Sequence, residues 1–331
     1  MSGKKQVQPQ RVPPSPPIER RFTPLPHPGQ PSARPSSAAR LDPQRLFAAL
    51  PRRALRAALI GRGIQESRTP RMHEAEGARL GLEYGFGLLD FDQLDLSEDT
   101  LPEVVRAAAR HGLAGLNVTH PFKQSIVACL DALAPEAAAI GAVNSVVFQD
   151  GRAVGHNTDC WGFAESFRRG MPGAALNRVL LIGAGGAGMA VGRALLELGA
   201  AEVAIHDLEA GRAATLAQSL SSQSGRPCAA SATDLAAAMR SADGLVNTTP
   251  VGMAKYPGMP VPEAALRRAL WVADVVYFPA ETALLRAAAA RGSRTLPGRG
   301  MAIFQAVQAF ELFTGVAPDA AEMARHFEAK A

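Results

Sequence analysis

The stretch Leu181-Ile182-Gly183-Ala184-Gly185-Gly186-Ala187-Gly188 decides the fold class of this chain. The apolar run at 179–182 predicts a strand, and the segment 189–198 predicts a helix that leaves the glycine turn. A second short strand, 202–206, ends at Asp207, which lies 19 residues after Gly188. This order of strand, G-x-G-x-x-G turn, helix, second strand and acid is typical of a dinucleotide-binding fold.

Each glycine of the turn has a separate task in such a fold. Gly183 permits the tight turn, Gly185 lets the backbone approach a pyrophosphate, and Gly188 lets the helix pack closely on the strand. The N-terminus of the helix offers unpaired N–H groups and a partial positive charge to the pyrophosphate. We therefore expect a dinucleotide at the start of this helix.

The acid at the end of the second strand bears on which dinucleotide binds. A carboxylate there accepts hydrogen bonds from ribose hydroxyls and repels a 2′-phosphate. Asp207 is followed by Leu208 and Glu209, and the first cation is Arg212, whereas an NADP site is expected to place Arg or Lys directly after the strand. The pattern favours NAD as the cofactor, although Arg212 can still stack on the adenine or reach its phosphate.

The charge of the chain is unevenly distributed. Of its 35 Lys and Arg, eleven lie in residues 1–56 beside only two acids, Glu19 and Asp42, so the remaining chain is mildly acidic. The net charge of +5 is thus due to the N-terminal segment, and no nucleic-acid-binding motif accompanies it. Because residues 1–44 are rich in Pro, Ser and Arg, we predict a disordered tail there. A transit peptide is the alternative, but the many prolines disfavour a targeting helix.

The cysteines, histidines and apolar runs bear on whether the chain is a disulfide-linked, metal-binding or membrane protein. Cys129, Cys160 and Cys228 are far apart and odd in number, which predicts neither a disulfide framework nor a zinc site. His73-Glu74 lacks the second histidine of H-E-x-x-H, so we expect no metal. No run approaches 18 apolar residues, so we expect no membrane span. We predict a cytoplasmic monomer or homodimer without nucleic-acid or membrane partners.

The length of 331 residues and the hydrophobic content of 47% suit two α/β domains. Before the glycine turn, short apolar runs alternate with helical ones, which predicts a mostly parallel sheet covered by helices. We predict a substrate-binding domain formed by residues 45–158 and 300–331 and a doubly wound Rossmann domain formed by residues 159–299. The two C-terminal helices, 301–315 and 318–329, return to the first domain in this prediction.

The sequence predicts the following strands and helices before the glycine turn. They are strands at 57–61 and 114–118, helices at 70–82 and 101–110, and a hairpin of 142–148 with 152–156. A further helix begins at Asp159, which can itself serve as the N-cap. In the Rossmann domain, later strands are predicted to end at 246–247 and at 275–276.

Three polar clusters lie where predicted strands end. They are Ser67-Arg68-Thr69-Pro70, the segment 117–123 (NVTHPFK), and GAVNS at 141–145 followed by GHNTD at 155–159. Two hydroxyls near a helix N-terminus suit a carboxylate, and the amides, lysine and aspartate suit a polyhydroxylated acid. Any one of these residues is more often a turn or cap residue. Together, at the sheet edge where ligands bind, they predict a substrate site.

With these motifs, the sequence resembles the shikimate dehydrogenase family over nearly all of residues 56–330. Further matching motifs are GAGGAG at 183–188, NTTPVGM at 247–253, DVVY at 274–277, and Gln305 in a segment that ends at residues 310–315. It looks closest to the NAD-dependent quinate/shikimate dehydrogenases. Thr69 stands where biosynthetic enzymes usually carry a second serine, and Asp207 stands where they carry an Asn-Arg-Thr clamp. Cys160 departs from the family, which usually has glycine there.

The resemblance implies roles for individual residues. Lys123 and Asp159 would be the catalytic pair that moves the proton of a ring hydroxyl. The implied substrate-binding residues are Ser67 and Thr69, for the carboxylate, and Asn117, Thr119, Asn144, Tyr277 and Gln305. The implied cofactor-binding residues are Gly183, Gly185, Gly186, Ala187, Asp207, Arg212, Pro250, Val251, Gly252, Met253, Val275 and Gly298.

The resemblance thus implies an NAD-dependent quinate/shikimate dehydrogenase, which transfers hydride between the ring C3 hydroxyl of quinate or shikimate and NAD. An NADP-dependent shikimate dehydrogenase of aromatic amino-acid biosynthesis is one alternative. A non-catalytic, metabolite-sensing paralogue is another. For Lys123 and Asp159 alone, the alternative is a surface ion pair of less than about 1 kcal/mol.

Overall fold

Two β-sheets organise the computed structural model, which describes residues 23–24, 46–47, 50 and 53–329. The strands of the first sheet are β1 (Thr23–Pro24), β2 (Leu55–Gly61), β3 (Tyr84–Asp90), β4 (Gly115–Val118), β5 (Ala132–Leu133), β6 (Ser145–Gln149) and β7 (Arg152–His156). The strands of the second sheet are β8 (Arg178–Ile182), β9 (Glu202–His206), β10 (Ala229–Ser231), β11 (Gly244–Asn247), β12 (Trp271–Asp274) and β13 (Thr295–Leu296).

Helices cover the faces of both sheets. They are α1 (Thr69–Arg79), α2 (Leu101–Arg110), α3 (Pro135–Ile140), α4 (Asp159–Gly170), α5 (Gly186–Glu197), α6 (Ala210–Ser224), α7 (Leu235–Ser241), α8 (Ala283–Ala290), α9 (Arg299–Thr314) and α10 (Ala320–Glu328). Short 3-10 helices lie at Glu98–Thr100, Ser125–Cys129 and Glu263–Ala265. In the described chain no helix has the length and apolar character needed to cross a bilayer.

Local sequence explains most helix boundaries. Proline stands in the first turn of α1, α2 and α3, where a backbone N–H would have no hydrogen-bond partner within the helix. Glycines with positive φ, namely Gly141, Gly225 and Gly315, end α3, α6 and α9. The side chains of Thr282 and Asp319 accept hydrogen bonds from the first turns of α8 and α10.

The first sheet has the order β1-β5-β7-β6-β4-β2-β3. Its strands β3, β2 and β4 run parallel, whereas β6 is antiparallel to both β4 and β7. The predicted hairpin is therefore present as β6 and β7. The second sheet, β10-β9-β8-β11-β12-β13, is parallel in every described pairing. The two-domain, mostly parallel α/β fold with a Rossmann half is confirmed.

The C-terminal helices return to the first sheet, as predicted. Phe310 of α9 and Met323 of α10 are buried in one cluster with Met72 of α1 and Tyr84 of β3. Helix α4 crosses α9 so closely that a Cβ on Gly162 would lie 2.8 Å from the backbone nitrogen of Gln305. A glycine is therefore required at this crossing, next to a predicted site residue.

The predicted disordered tail, residues 1–44, lies outside the described residues except for β1, Thr23–Pro24. This short strand pairs with β5, whose open edge supplies unpaired backbone groups to an extended segment. The disorder of residues 1–44 stays a prediction. Leu46, Phe47 and Leu50 are buried, within the predicted start of the first domain.

Three further differences concern single elements. Strand β3, residues 84–90, was not predicted, because its two glycines weaken the strand pattern. Strand β12 ends at Asp274, before the predicted end at 275–276. Thr158, not Asp159, occupies the N-cap of α4, so that Asp159 is the first helical residue. The predicted domain boundaries stay a prediction.

Candidate active site

Four strand ends of the first sheet meet at one edge. Strands β2 and β4 end there, β6 begins there, and β7 ends there, because Asn117 pairs with Ser145 and Ser145 pairs with His156. The loops that leave these ends carry all three polar clusters. The sheet thus brings together residues that are far apart in the chain.

Lys123 and Asp159 form an ion pair at this edge. Lys123 Nζ lies 2.5 Å from Asp159 Oδ2, with the lysine side chain 24% exposed and the aspartate side chain 5% exposed. The backbone N–H of Val143 donates to the carbonyl of Lys123 at 2.7 Å, which fixes the lysine loop to the segment that leads into β6. The amine is reachable from solvent while its partner is buried, so this is no ordinary surface pair.

Asn144 holds the carboxylate in place. Its Nδ2 donates to Asp159 Oδ1 and to Thr158 Oγ1, both at 2.9 Å. Its Oδ1 accepts the backbone N–H of Thr158 at 2.8 Å and the hydroxyl of Ser145 at 3.3 Å. A backbone N–H can only donate, so these bonds fix which end of the amide is oxygen.

The side chain of Asn117, on β4, is buried next to Asn144 and Ser145. Its Nδ2 donates to Ser145 Oγ at 3.1 Å and to the carbonyl of Asn144 at 3.3 Å. Its Oδ1 is buried and has no hydrogen-bond partner among the described residues. A buried acceptor without a donor is uncommon, and a ligand hydroxyl is one group that satisfies it.

Gln305 and Thr119 complete this group. Thr158 Oγ1 lies 3.5 Å from Gln305 Oε1, and Gln305 Nε2 donates to the carbonyl of Ala302 at 3.0 Å. Thr119 packs so tightly on the end of β2 that a Cβ on Gly61 would lie 2.5 Å from its Cγ2. Helix α9 and the loop after β4 therefore both contribute to the same edge.

Ser67 and Thr69 stand together at the start of α1. Their hydroxyl oxygens lie 3.2 Å apart, and the backbone N–H of Thr69 donates to Ser67 Oγ at 3.3 Å. Asp90, at the end of β3, holds the loop that leads to them by accepting the backbone N–H groups of Gly63 and Ile64, both at 3.0 Å. Burial raises the pKa of Asp90, but these hydrogen bonds and that of Gln65 outweigh it and lower the pKa.

The glycine turn after β8 has the geometry that the motif predicts. Gly183 has a φ of 101°, and a Cβ there would lie 2.9 Å from Thr249 Cγ2. A Cβ on Gly188 would lie 2.2 Å from the carbonyl oxygen of Gly183, so only glycine permits α5 to approach β8 this closely. Gly185 is the N-cap of α5, and Gly186 and Ala187 form its first turn.

This turn faces the ion pair. A Cβ on Gly186 would lie 3.5 Å from the Cβ of Ala142 and 3.9 Å from the Cβ of Lys123. The N-terminus of α5 and the loop that carries Lys123 are thus in van der Waals range. The two halves of the molecule meet where a dinucleotide turn and a Lys–Asp pair lie side by side.

Asp207 lies at the adjacent strand end, beside the turn. Its Oδ2 accepts the backbone N–H of Ala184 at 2.7 Å, and its Oδ1 accepts that of Glu209 at 2.9 Å. Arg212 is exposed, lies 3.5 Å from Glu209, and would stand 3.6 Å from a Cβ on Gly185. The structure thus brings Asp207 and Arg212 to the same end of the glycine turn.

The loop 250–253 is tied to the same turn by its neighbours. Thr248 Oγ1 donates to the carbonyls of Ile182 and Gly183, at 2.8 and 3.0 Å. Asn247 Nδ2 donates to the carbonyl of Val251 and to Asp274 Oδ1, both at 2.9 Å. The loop that holds Pro250, Val251, Gly252 and Met253 is therefore fixed at its first half, and Met253 is exposed at its tip.

Asp274 connects this loop with the segment after β12. It also accepts the Thr282 hydroxyl at 2.7 Å and the backbone N–H of Val276 at 3.0 Å. Burial raises the pKa of Asp274 to about 6, against the opposing effect of its hydrogen bonds. Gly298 lies against Val275, since a Cβ there would be 2.3 Å from the Val275 carbonyl oxygen.

In the described hydrogen bonds and ring contacts, Tyr277 contacts none of the other predicted substrate residues. Its side chain is exposed, and its ring centroid is 6.1 Å from that of Phe327 in α10.

The sequence did not predict several residues that connect the site, namely Ser145, Thr158, Asn247, Thr248, Asp90 and Asp274. All but Asp90 stand inside motifs that were singled out, so the motifs were the signal. In the described residues, no three His, Cys, Asp or Glu side chains cluster closely enough to hold a metal ion.

The fold and this geometry define a two-domain α/β protein with a Rossmann dinucleotide turn at the cleft beside a Lys–Asp pair. Residues 59–146 match the family model described as "Shikimate dehydrogenase substrate binding domain". Residues 298–326 match the one described as "Shikimate 5'-dehydrogenase C-terminal domain".

Individual relatives agree with these matches. A shikimate dehydrogenase (NADP(+)) of Streptomyces avermitilis is 54% identical over 267 residues, which is 80% of this chain and 92% of that protein. A quinate/shikimate dehydrogenase (NAD(+)) of Corynebacterium efficiens is 44% identical over 272 residues, 81% of this chain and 96% of that protein. The structure of quinate dehydrogenase from Corynebacterium glutamicum in complex with NAD has 41% identity and a TM-score of 0.77, and covers 82% of this chain and 98% of that one. The chain belongs to the shikimate dehydrogenase family.

Proposed function

We propose that this protein is an NAD-dependent dehydrogenase that oxidises the ring C3 hydroxyl of quinate or shikimate reversibly. Family membership makes it an oxidoreductase that acts on a CH–OH group with a nicotinamide dinucleotide. The choice of NAD, the hydroxyl and the role of each residue are our proposal.

The observation that carries the proposal is the position of Lys123. Its amine is paired with the buried Asp159 carboxylate at 2.5 Å, and its Cβ is 3.9 Å from where a Cβ of Gly186 would stand. The position of Lys123 next to the dinucleotide turn supports a role in proton transfer. An ion pair that only stabilised the fold would not have to lie next to the dinucleotide turn.

The residues at the turn fit a dinucleotide. Gly185 and Gly186 leave the N-terminus of α5 free of side chains, so that a pyrophosphate can approach its N–H groups. Asp207, Arg212, the loop 250–253, Val275 and Gly298 would line the rest of the cofactor. When bound, the nicotinamide supplies the acceptor for the hydride that leaves the alcohol carbon.

The chain's own residues handle the proton. Lys123 in its neutral form accepts the proton of the ring hydroxyl as the C–H bond breaks, which leaves a ketone. Asp159 then stabilises the ammonium, and Asn144 keeps the carboxylate turned toward it. In the reverse direction the ammonium returns the proton to the new alkoxide oxygen.

The other polar groups suit a hydroxylated acid. The paired hydroxyls of Ser67 and Thr69, at the start of α1, suit the carboxylate. The unpaired Oδ1 of Asn117 accepts a ring hydroxyl in our proposal, beside Thr119, Asn144 and Gln305. Tyr277 approaches from the other half of the cleft.

Asp207 supports NAD over NADP. Its carboxylate is held at the end of β9 by two backbone N–H groups, so it cannot easily turn away from a 2′-phosphate. The negative charge of Glu209 lies next to it, and Arg212 is already paired with that glutamate. A Corynebacterium relative carries NAD(+) in its name, whereas the Streptomyces relative carries NADP(+).

Steady-state kinetics of the full chain with quinate and shikimate, each with NAD and NADP, tests the proposal. We expect turnover of at least one acid with NAD, and kcat/KM for NAD above that for NADP. A preference for NADP, or equal efficiency with both cofactors, would support the biosynthetic NADP-dependent shikimate dehydrogenase instead. Tight quinate binding without turnover would support a metabolite-sensing protein. The cytoplasmic location and the monomeric or dimeric state stay predictions.

A further inference from the structure

One side chain of the last helix contacts both halves of the cleft. Phe327 of α10 is buried in the cluster formed by α1, α9 and β3. Its backbone carbonyl accepts a hydrogen bond from Arg68 Nη1 at 2.9 Å, and the Arg68 guanidinium carbon lies 5.6 Å from the centre of its ring. The ring of Tyr277 lies with its centroid 6.1 Å from that of Phe327. These residues are called the Arg68–Phe327–Tyr277 cluster below.

Arg68 is well suited to hold the end of α10. The last carbonyls of a helix lack partners within the helix and carry partial negative charge. A guanidinium meets both needs with a charge-assisted hydrogen bond, and its flat face also stacks on an aromatic ring. Arg68 is the N-cap residue of α1 and stands between Ser67 and Thr69. Its attachment to Phe327 therefore limits the movement of the two hydroxyls beside it.

Helix α10 is itself anchored to the first half of the molecule. The buried carboxylate of Glu76 in α1 accepts the backbone N–H of Asp319 at 2.7 Å. Arg299 of α9 lies 2.9 Å from Glu328 at the other end of the helix. Phe327 is thus held by the first half, whereas Tyr277 stands on the segment after β12 of the second sheet. The ring of Phe327 is therefore packed in the first half of the molecule and contacts Tyr277 of the second half.

We propose that Phe327 is a positioning residue for the substrate carboxylate. It acts through Arg68 on the Ser67 and Thr69 hydroxyls, and it supports Tyr277 on the opposite half of the cleft. Phe327 itself does not touch the substrate. The inference rests on the proposed function. Since neither the Lys123–Asp159 pair nor the glycine turn contacts this cluster in the described hydrogen bonds and ring contacts, its effect falls on binding of the acid.

The first test is steady-state kinetics of Phe327→Ala in the full chain. We expect KM for quinate and shikimate to rise about tenfold, with kcat and KM for the nicotinamide cofactor changed less than about threefold. Phe327→Tyr keeps the ring and should keep the substrate KM within about threefold of the wild type. A second variant, Arg68→Met, removes the exposed guanidinium but keeps an apolar stem, so we expect it to fold. Its KM for both acids should also rise, by about threefold or more.

Met323→Ala is the matched control. Met323 lies on the same helix, is fully buried in the same cluster, and has no ring to offer Arg68 or Tyr277. If Met323→Ala raises the substrate KM as much as Phe327→Ala, the effect is general loss of packing and the proposal is wrong. If Phe327→Ala does not fold, Arg68→Met decides, and an unchanged KM overturns the proposal.

The remaining outcomes separate this inference from the proposed function. Wild-type turnover with an unchanged KM in Phe327→Ala overturns the inference and leaves the function intact. A raised KM in Arg68→Met, beside an unchanged KM in a folded Phe327→Ala, means that Arg68 contacts the acid directly, which also overturns the inference. A wild-type protein that turns over neither acid overturns the proposed function, and this inference with it.

Discussion

Asn144 shows how a single residue sets the chemistry of the site. Its amide holds Asp159 and the Thr158 backbone at once, so the carboxylate has one orientation toward Lys123. An aspartate at the first position of a helix also gains from the helix dipole. A buried carboxylate beside a partly exposed amine is weak evidence for a purely stabilising ion pair, which favours the proposed role in proton transfer.

Lys123→Ala should lower kcat by about 100-fold or more, because it removes the proposed general acid–base group. Binding of the cofactor should change little, since the glycine turn is untouched. The matched control is Lys255→Ala, because Lys255 is an exposed lysine that contacts Tyr256. Steady-state kinetics and a fluorescence titration of NADH measure both effects. Turnover of the Lys123 variant within about threefold of the wild type would remove the lysine from the mechanism.

Thr69→Ser should lower the ratio of kcat/KM for quinate to that for shikimate by about threefold to tenfold. The serine keeps the hydroxyl for the carboxylate but loses the methyl group, which we expect to shape the pocket for the bulkier C1 of quinate. Thr215→Ser is the control, because Thr215 is an exposed residue of α6. An unchanged ratio in the Thr69 variant contradicts this role.

At the scale of elements, the junction of β8 and α5 combines two requirements. Gly183 needs a positive φ, and Gly188 needs the absence of a Cβ, so that the helix N-terminus points at the cleft. Thr248 then joins the turn to the loop after β11 through two carbonyls. The glycine turn and the loop after β11 are thus one connected unit at the cofactor end of the molecule.

Gly188→Ala should lower the free energy of unfolding by about 1–3 kcal/mol and weaken NADH binding, since its Cβ meets a backbone oxygen that cannot move aside. Gly211→Ala is the control, because nothing lies within 4 Å of a Cβ at this helical position. Alanine there should be neutral or slightly stabilising. Urea denaturation and NADH titration check both. Equal stability of the two variants would show that the junction tolerates a side chain.

At the scale of the whole molecule, two buried groups shape stability against pH. Burial lowers the pKa of His73 to about 3, and its ring is packed among Tyr84, Phe86 and Phe310. Since the unfolded histidine titrates near 6.5, its contribution is present above that pH and is lost as the pH falls toward 3. Asp274, with its pKa raised to about 6, acts in the opposite sense, and its contribution is lost as the pH rises through 6.

His73→Gln isolates the histidine effect. Between about pH 6.5 and pH 4.5 the wild type should lose about 2 kcal/mol of stability that the glutamine variant does not lose. Glutamine can still bond the Tyr84 hydroxyl, which lies 3.1 Å from His73 Nδ1, but does not titrate. Urea denaturation across this pH range measures the difference in slope. Parallel curves for the two proteins would mean that His73 is not held neutral by the fold.

The amino-acid sequence by itself determined the Rossmann half, the hairpin and the cofactor turn. These follow from local causes, namely apolar period, glycine conformation and turn chemistry, which are written in neighbouring residues. The family resemblance added the expected catalytic role of Lys123 and Asp159.

Only the tertiary structure decided what surrounds that pair. Asp159 was expected to be a helix cap, but Asn144 and Lys123 take its oxygens, because the register of β4, β6 and β7 brings them to one edge. The contacts of Phe327 join residues about 260 apart in the chain, and the raised pKa of Asp274 comes from burial. Such properties depend on long-range packing and on exclusion of water, which no local pattern of residues encodes.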